Sequence, residues 1–437
     1  MPLLSQHGSP RARAMYLRNL PSIRERCTQV HDLAKEGQLQ YFHYDPGREK
    51  AVIEFCASIM ERDFSNEFAS IPPHGRWRHL DAGRCRIEPM LLSWDGSSTP
   101  PDTKEKCKRV IDLFLVSVLL DAGAGSQWSY TEEDSGQTFS RSEGLGVASV
   151  HMFRDGIFSG SASQPYRVDA EGLARITVDK VAEAMQISSL NPMVGLEGRT
   201  SLLVSLSTAL KSSPQFFGQD ARPGNMLDFL EAESKLEGST RRVHVSTLWT
   251  ILIEGLSPIW PARLTLDGVS LGDVWSCPAL KQPDQAEGDD FVPFHKLTGW
   301  ITYSLIEPME KLLGWTFDGA EDMTGLPEYR NGGLLIDFGV LTLRPGVLSS
   351  ECYPDGSGIP RLPPSHPAVV EWRAMTVIEL DRIADALRRK HNLPRDKLTL
   401  AQVLESATWR GGREIAKSLR PSTGGPPIDI VSDGTVF

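Results

Sequence analysis

Between residues 377 and 387 the chain places apolar side chains at helical spacing, Val377, Leu380, Ile383, Ala384 and Leu387, and then closes with Arg388, Arg389 and Lys390. A stripe of that period buries one face of an α-helix. Cations at its end oppose the partial negative charge of the last carbonyls. The same three-to-four spacing recurs along the chain. Val52, Cys56, Ile59 and Met60 mark an amphipathic helix between Arg48 and Arg62, and Thr103 precedes an apolar run, Val110 to Leu120, that ends at the glycines of 122–125. Further helices are expected at 171–187, 200–211, 225–235 and 243–255. Another should start at Thr399, where Thr399 and Gln402 match a capping box.

Strand signals are sparse. The clearest is a hairpin around Asp267-Gly268, with strands at 263–266 and 269–271, because that dipeptide suits a two-residue turn with two positive φ angles. The expected fold is therefore mainly α, with one short β-hairpin near 263–271. Loops are expected at Asp95–Thr103, Lys281–Asp290 and Tyr353–Pro367, which are rich in Pro, Gly, Ser or acidic residues.

Composition narrows the function. With 437 residues and 40% hydrophobic side chains the chain can bury a sizeable core, and its net charge of −10 argues against a polyanion such as nucleic acid as partner. A small phosphorylated substrate stays open, because a pocket needs only a few cations. Six scattered cysteines without a C-x-x-C pair, and no charged-then-apolar leader, point to a cytoplasmic protein. The longest apolar run is interrupted by Asp112 and is too short for a membrane span. Zinc, ATP and NAD motifs are missing, and the five-residue gap between His74 and His79 does not put two imidazoles on one helical face. No metal and no cofactor is expected.

Three polar tracts remain as candidate chemistry. In Ile71–Arg86, Arg76, Arg78 and their neighbouring histidines suit either a phosphate or a salt-bridge surface between domains or subunits, the latter being the plainer reading. In Trp128–Glu143, Trp128 and the pair Arg141 and Glu143 bracket a loop, consistent with a pocket wall or with an ion-paired surface loop. In Phe294–Arg330, His295 and Lys296 precede an apolar helix-like run, and Glu328, Tyr329 and Arg330 stand before Gly332-Gly333. Glu328 is placed there at a helix entrance, exposed, where such a carboxylate is more often a cap than a catalyst.

From end to end the chain resembles the fungal and bacterial uracil-catabolism family long filed as a domain of unknown function. The resemblance is carried by Ser22–Cys27, His74–His79, Asp121–Gly125, Arg141–Leu145, Asn191–Arg199, Leu271–Trp275 and Ser432–Phe437. It implies one family domain over 1–437, with helical parts 1–100, 103–280 and 291–437, and a role in releasing urea from ribosylurea or its 5′-phosphate.

A more distant resemblance, confined to 294–330, is to queuosine 5′-phosphate salvage N-glycosidases. It implies a multi-helix fold like that of DNA glycosylases. Lys296 and Glu328 fall at matching spacing, although Glu328 stands where those enzymes carry Asp, and Gly299 and Ser304 where they carry Gln and Asp.

These resemblances imply an N-ribosyl hydrolase. Glu328 would be base or oxocarbenium stabiliser, with His295 as proton donor. Lys296 and Arg330 would hold phosphate or ribose hydroxyls, while Tyr329, Trp128, Arg141 and Glu143 contact substrate. An amidohydrolase acting on the ureido group, a non-catalytic scaffold or metabolite sensor, and a nucleic-acid glycosylase are the alternatives.

Overall fold

Helices dominate, and strands are confined to two- and three-stranded sheets. The structure is a computed structural model that describes residues 8–65, 67–121, 124, 125, 127–261, 263–354 and 356–431. The motif Ser432–Phe437 and the glycine-loop positions Ala122 and Gly123 lie outside the described residues. The fold is mainly α, as the periodicity implies.

The chain forms two compact units, each built from separated stretches of sequence. The first comprises the described residues of Met1–His74, Ala262–Gly299 and Glu321–Val431, and the second those of Gly75–Pro261 and Trp300–Ala320.

In the first unit the central element is the helix Pro367–His391, which contains the apolar stripe from Val377 to Leu387. Asn392 ends it in the left-handed conformation at φ 53°, a common way to stop a helix. From Ala368 to Leu380 every residue is buried, charged ones included. The helix Leu20–Lys35 packs along it, and Arg24 of that helix pairs with Asp381 at 2.7 Å. After the capping box at Thr399, with both of its hydrogen bonds formed, a short helix runs through a π-helical turn, Leu404–Thr408, into the helix Trp409–Leu419. Glu405 in that turn meets His74 Nδ1 at 2.6 Å.

The expected hairpin is present. Thr265–Leu266 pairs with Val269–Ser270, and Asp267 and Gly268 have φ of 51° and 71°, the two positive angles that the dipeptide permits. Its apolar side, Leu266, Val269 and Leu271, joins Ala14 and Leu17 of the helix Pro10–Leu17 in one cluster. Each such fully buried aliphatic side chain contributes about 1.5–3 kcal/mol.

In the second unit the helix Thr103–Leu119 is buried continuously from Val110 to Leu119, and Asp102 rather than Thr103 caps it. Asp112 interrupts this apolar run at no exposure. It is answered by Arg222 at 2.7 Å and by the amide of Gly224 at 2.7 Å. Burial nevertheless pushes its carboxyl up to about 6, against the pull of Arg222.

The helix expected at 171–187 is two helices, Ala170–Ala174 and Val178–Ala184. Thr177 in extended conformation caps the second by accepting from the Lys180 amide, so the side chain competes with helix continuation. Two strands around the loop between Trp128 and Glu143, Ser129–Thr131 and Thr138–Ser140, form a second hairpin that local pattern did not announce.

One close approach in the first unit fixes the Tyr329–Asp337 helix against the Trp409–Leu419 helix. A Cβ at Gly412 would lie 2.1 Å from the Arg330 carbonyl oxygen, whereas at neighbouring Gly411 the nearest atom would be 3.4 Å away. Gly412→Ala is expected to destabilise by about 1–3 kcal/mol through overpacking of backbone against backbone. Gly411→Ala is expected to be neutral or to stabilise by up to about 1 kcal/mol through helix propensity. Urea unfolding of the two variants checks the contrast, which equal effects would refute.

Candidate functional site

The two ends of the 294–330 tract, 294–299 and 321–330, lie in the first unit, where an ion pair organises them. Asp273 follows Leu271-Gly272 and directly precedes the strand Val274–Ser276, and its two oxygens receive Nη1 and Nη2 of Arg373, each at 2.8 Å. The same carboxylate accepts from the Trp275 indole at 2.6 Å and from the main-chain amide of Lys296 at 2.9 Å. Its own carbonyl receives the amide of Phe294 at 2.9 Å. Burial alone would raise the pKa of Asp273, but the Arg373 charge, with these donors, holds it well below the usual carboxylate range.

Arg373 is almost wholly buried, stacks over the Phe294 ring at 4.1 Å, and points Nε at the Pro327 carbonyl, 3.3 Å away. One guanidinium therefore touches both ends of the tract: the start of the helix Lys296–Leu313 through Asp273, and the residue before Glu328 directly.

Glu328 stands at the helix entrance, as its sequence suggests, but it is buried rather than exposed. It is the N-cap of the helix Tyr329–Asp337. Its Oε2 accepts from the Arg330 amide at 2.8 Å and Oε1 from the Asn331 amide at 2.6 Å. Burial raises its pKa; those two amides and the charges of Lys296 and Arg330 oppose the rise. Asn331 reinforces the turn by donating to the Leu326 carbonyl at 3.0 Å. The Glu328 carboxylate is thus a cap and also a buried charge facing two cations.

Arg330 sends Nη1 to the Gly424 carbonyl at 2.8 Å and lies over the Tyr329 ring at 4.8 Å. His295 is buried in the left-handed conformation at φ 43°, with Nε2 2.8 Å from the Leu17 carbonyl. That nitrogen must donate to the carbonyl, and burial lowers the imidazole's pKa. Lys296, Glu328, Tyr329 and Arg330 are thereby gathered on one frame, with His295 at its back.

The remaining predicted site residues lie in the second unit. Trp128 is fully buried, with its indole N–H donated to the Met185 carbonyl at 2.9 Å. Arg141 opens the helix Arg141–Arg154 at φ 56°, and Glu143 lies in its first turn; both are half-buried. In the 71–86 tract the salt-bridge reading is the nearer one, but the pairs are internal to this unit. Arg76, with no exposure, faces Asp121, and Arg78 pairs with Glu307. Its two histidines are separated: His74 meets Glu405 in the first unit, whereas His79 lies edge-on to Trp300 in the second.

Among the described residues one group, Glu132, Asp134 and His151, places ligand atoms close enough to hold a metal. Its chemistry does not suit one. Glu132 accepts from Arg84, Arg86 and Ser135, so its lone pairs and its charge are already taken up. No helix among the described residues is long and apolar enough to cross a membrane.

Residue reasoning missed Arg373 and gave Asp273 no role. The available signal was a polar interruption: Glu371, Arg373 and Glu379 sit in a helix segment otherwise apolar on all sides, Ala368 to Leu380, where a charge needs a buried partner.

Residues 16–437 match the family described as "Protein of unknown function (DUF1688)". The chain is 40% identical over 439 residues to "Uracil catabolism protein 4" of Lachancea kluyveri, covering 97% of this chain and 98% of that protein. It is 41% identical over 424 residues to "Protein urg3" of Schizosaccharomyces pombe, with 96% and 98% covered.

Arg373→Met leaves the Asp273 carboxylate buried without its partner and is expected to cost about 3–5 kcal/mol, part of which Asp273→Asn in the same chain restores. Because the Asp273 pKa is depressed on folding, the pair stabilises above the unfolded value and loses that contribution as pH falls below about 4. Denaturation of both variants from pH 7 to pH 3 tests this. A single variant as stable as the parent would overturn it.

Proposed function

This chain belongs to the DUF1688 family, and from that premise we propose that it acts in uracil catabolism, as the name of its Lachancea relative says of that protein. We further infer that it is an N-ribosyl hydrolase, converting ribosylurea or its 5′-phosphate to urea and ribose or ribose phosphate. The observation that carries the finer reading is the buried Glu328 carboxylate at a helix start, coupled to the Lys296 and Arg330 charges. Perturbed carboxylates held beside cations on a rigid frame concentrate at functional sites.

In this reading the C1′–N bond breaks with its electron pair leaving on the urea nitrogen, and water adds to C1′. Glu328 stabilises the oxocarbenium-like sugar and takes the proton from the attacking water, later returning it to solvent, while the departing urea nitrogen takes up a proton from solvent, so that neutral urea and ribose leave. Lys296 and Arg330 hold phosphate or ribose hydroxyls, and the Tyr329 ring walls the site. His295, with Nε2–H engaged by Leu17 and its pKa lowered by burial, supports the turn as a neutral imidazole rather than donating the proton. Trp128 supports from the core, since its indole N–H is already bound to Met185.

The second reading, a structural cap, is favoured by one observation: both Glu328 oxygens already receive main-chain amides. The two separate experimentally. Glu328→Gln keeps one acceptor and is expected to cost about 1 kcal/mol of stability or less, yet to lower urea release by about 100-fold or more. Urea is assayed with ribosylurea and with its 5′-phosphate. Release of ammonia in place of urea, or full activity in the variant, overturns the assignment.

Catalysis by the carboxylate also fixes a pH dependence. The Glu328 pKa is raised, so activity should fall with acidification from a point above the ordinary glutamate value of about 4.3. Removing a cation that favours the ionised form, by Lys296→Met, is expected to move this acid limb to higher pH. A limb that stays in place in Lys296→Met contradicts the coupling.

A further inference from the structure

On the helix Tyr329–Asp337, which begins beside Glu328, the residues Arg330, Gly333 and Asp337 stand three and four positions apart and so share one face. Two of them are unfavourable in a helix taken alone. Glycine weakens a helix interior, and a carboxylate on the last residue faces the partial negative charge of the final carbonyls.

The later segment Arg420–Ile428 answers all three. Arg330 Nη1 donates to the buried Gly424 carbonyl at 2.8 Å. A Cβ on Gly333 would lie 3.0 Å from Pro427 Cδ, so the glycine admits the proline ring. Asp337, whose side chain is almost wholly buried, receives Nη1 and Nη2 of Arg420 at 2.8 and 2.5 Å.

Arg420, the first residue after the helix Trp409–Leu419, also shapes the segment it begins. Its Nε donates to the Gly425 carbonyl at 2.7 Å, and its own carbonyl accepts from the Gly424 amide at 2.6 Å. The residue thereby closes a tight loop whose Gly424 carbonyl meets Arg330. Past that loop Ile428 is fully buried, and Asp429–Ile430 pairs in parallel with Arg361–Leu362. The segment is tied on both sides of the carbonyl that Arg330 uses.

We propose that Arg420 is a positioning residue for the Glu328 site: anchored on Asp337, it fixes the loop whose Gly424 carbonyl aims the Arg330 guanidinium. The proposal rests on the hydrolase reading of Glu328 and Arg330, and adds to it a group that touches neither the substrate nor the reacting atoms. Arg330 is one of two cations that favour the ionised Glu328 carboxylate, Lys296 being the other. Its aim therefore governs both the grip on phosphate or ribose hydroxyls and the charge felt by Glu328.

Urea release is measured against pH and substrate concentration for the parent, Arg420→Gln and a control, Arg344→Gln. Arg344 likewise holds main-chain carbonyls in the first unit, those of Gly37 and Phe42, but on other segments. Arg420→Gln is expected to raise KM about ten-fold, the worth of one charged hydrogen bond, with kcat on the pH plateau nearly unchanged. It also moves the acid limb of kcat/KM to higher pH, because Glu328 loses part of the Arg330 charge. Arg344→Gln shifts neither. Where circular dichroism shows Arg420→Gln unfolded, Asp337→Asn, which removes the anchoring charge, takes its place. Parent-like KM and acid limb in the folded variant, or equal shifts in Arg344→Gln, overturn the positioning role, while urea release by the parent keeps the hydrolase reading.

A parent that releases no urea sinks the hydrolase reading alone. Hydrogen exchange followed by mass spectrometry then decides whether Arg420 holds the start of the helix. Faster exchange at Arg330 and Asn331 in Arg420→Gln, and not in Arg344→Gln, supports it; unchanged exchange there overturns it.

Discussion

The ion pair between Asp273 and Arg373 is the constraint on which the first unit's polar architecture depends. Arg373 leaves water almost completely and Asp273 largely, and neither charge is tolerable there alone. Desolvation is offset only because every donor and acceptor has an address: two guanidinium nitrogens on two carboxylate oxygens, an indole and an amide on the same carboxylate, and a carbonyl for Arg373 Nε. The addresses belong to segments far apart in sequence, so satisfying the charges also sets the geometry. Lys296 begins its helix where Asp273 accepts its amide. Glu328 begins its own one residue beyond the carbonyl that Arg373 holds.

The helical architecture was legible because its signals are local. The Val377–Leu387 stripe, the Thr399 capping box and the Asp267-Gly268 turn each depend on a few neighbouring residues, and each appears where those residues stand. The break at Thr177 was not legible, since a threonine that caps and one that continues a helix look alike until the partner amide is known. The second hairpin was missed for a related reason: Ser129–Thr131 and Thr138–Ser140 are three residues each, too short for alternation to show.

The candidate site was half legible. Glu328 at a helix entrance follows from the Pro-Glu-Tyr-Arg turn, but its burial does not, because burial is decided by what packs on it from elsewhere. Arg373 lies 100 residues from its partner, and no spacing rule links them. The 71–86 tract teaches the same lesson with the opposite sign. Its arginines read in sequence as a salt-bridge surface between domains or subunits, yet Arg76 is among the most deeply buried of the described side chains. Charge density in a short window does not distinguish a surface from an interior whose counter-ions come from remote segments.

The discontinuity of the two units bears on how the chain is made. Arg24 pairs with Asp381, 357 positions away, and the strand Phe42–Tyr44 is completed by Leu341–Leu343. During synthesis the first helices therefore emerge long before the elements that cover them, and their apolar faces wait through some three hundred residues of intervening chain. Contacts of such separation carry the loop-closure entropy that slows folding, and the waiting surfaces invite aggregation or chaperone capture. The second unit's main stretch, Gly75–Pro261, is delivered whole in that interval. Translation order thus favours its assembly while the first unit, with Lys296 and Glu328, still lacks its central helix.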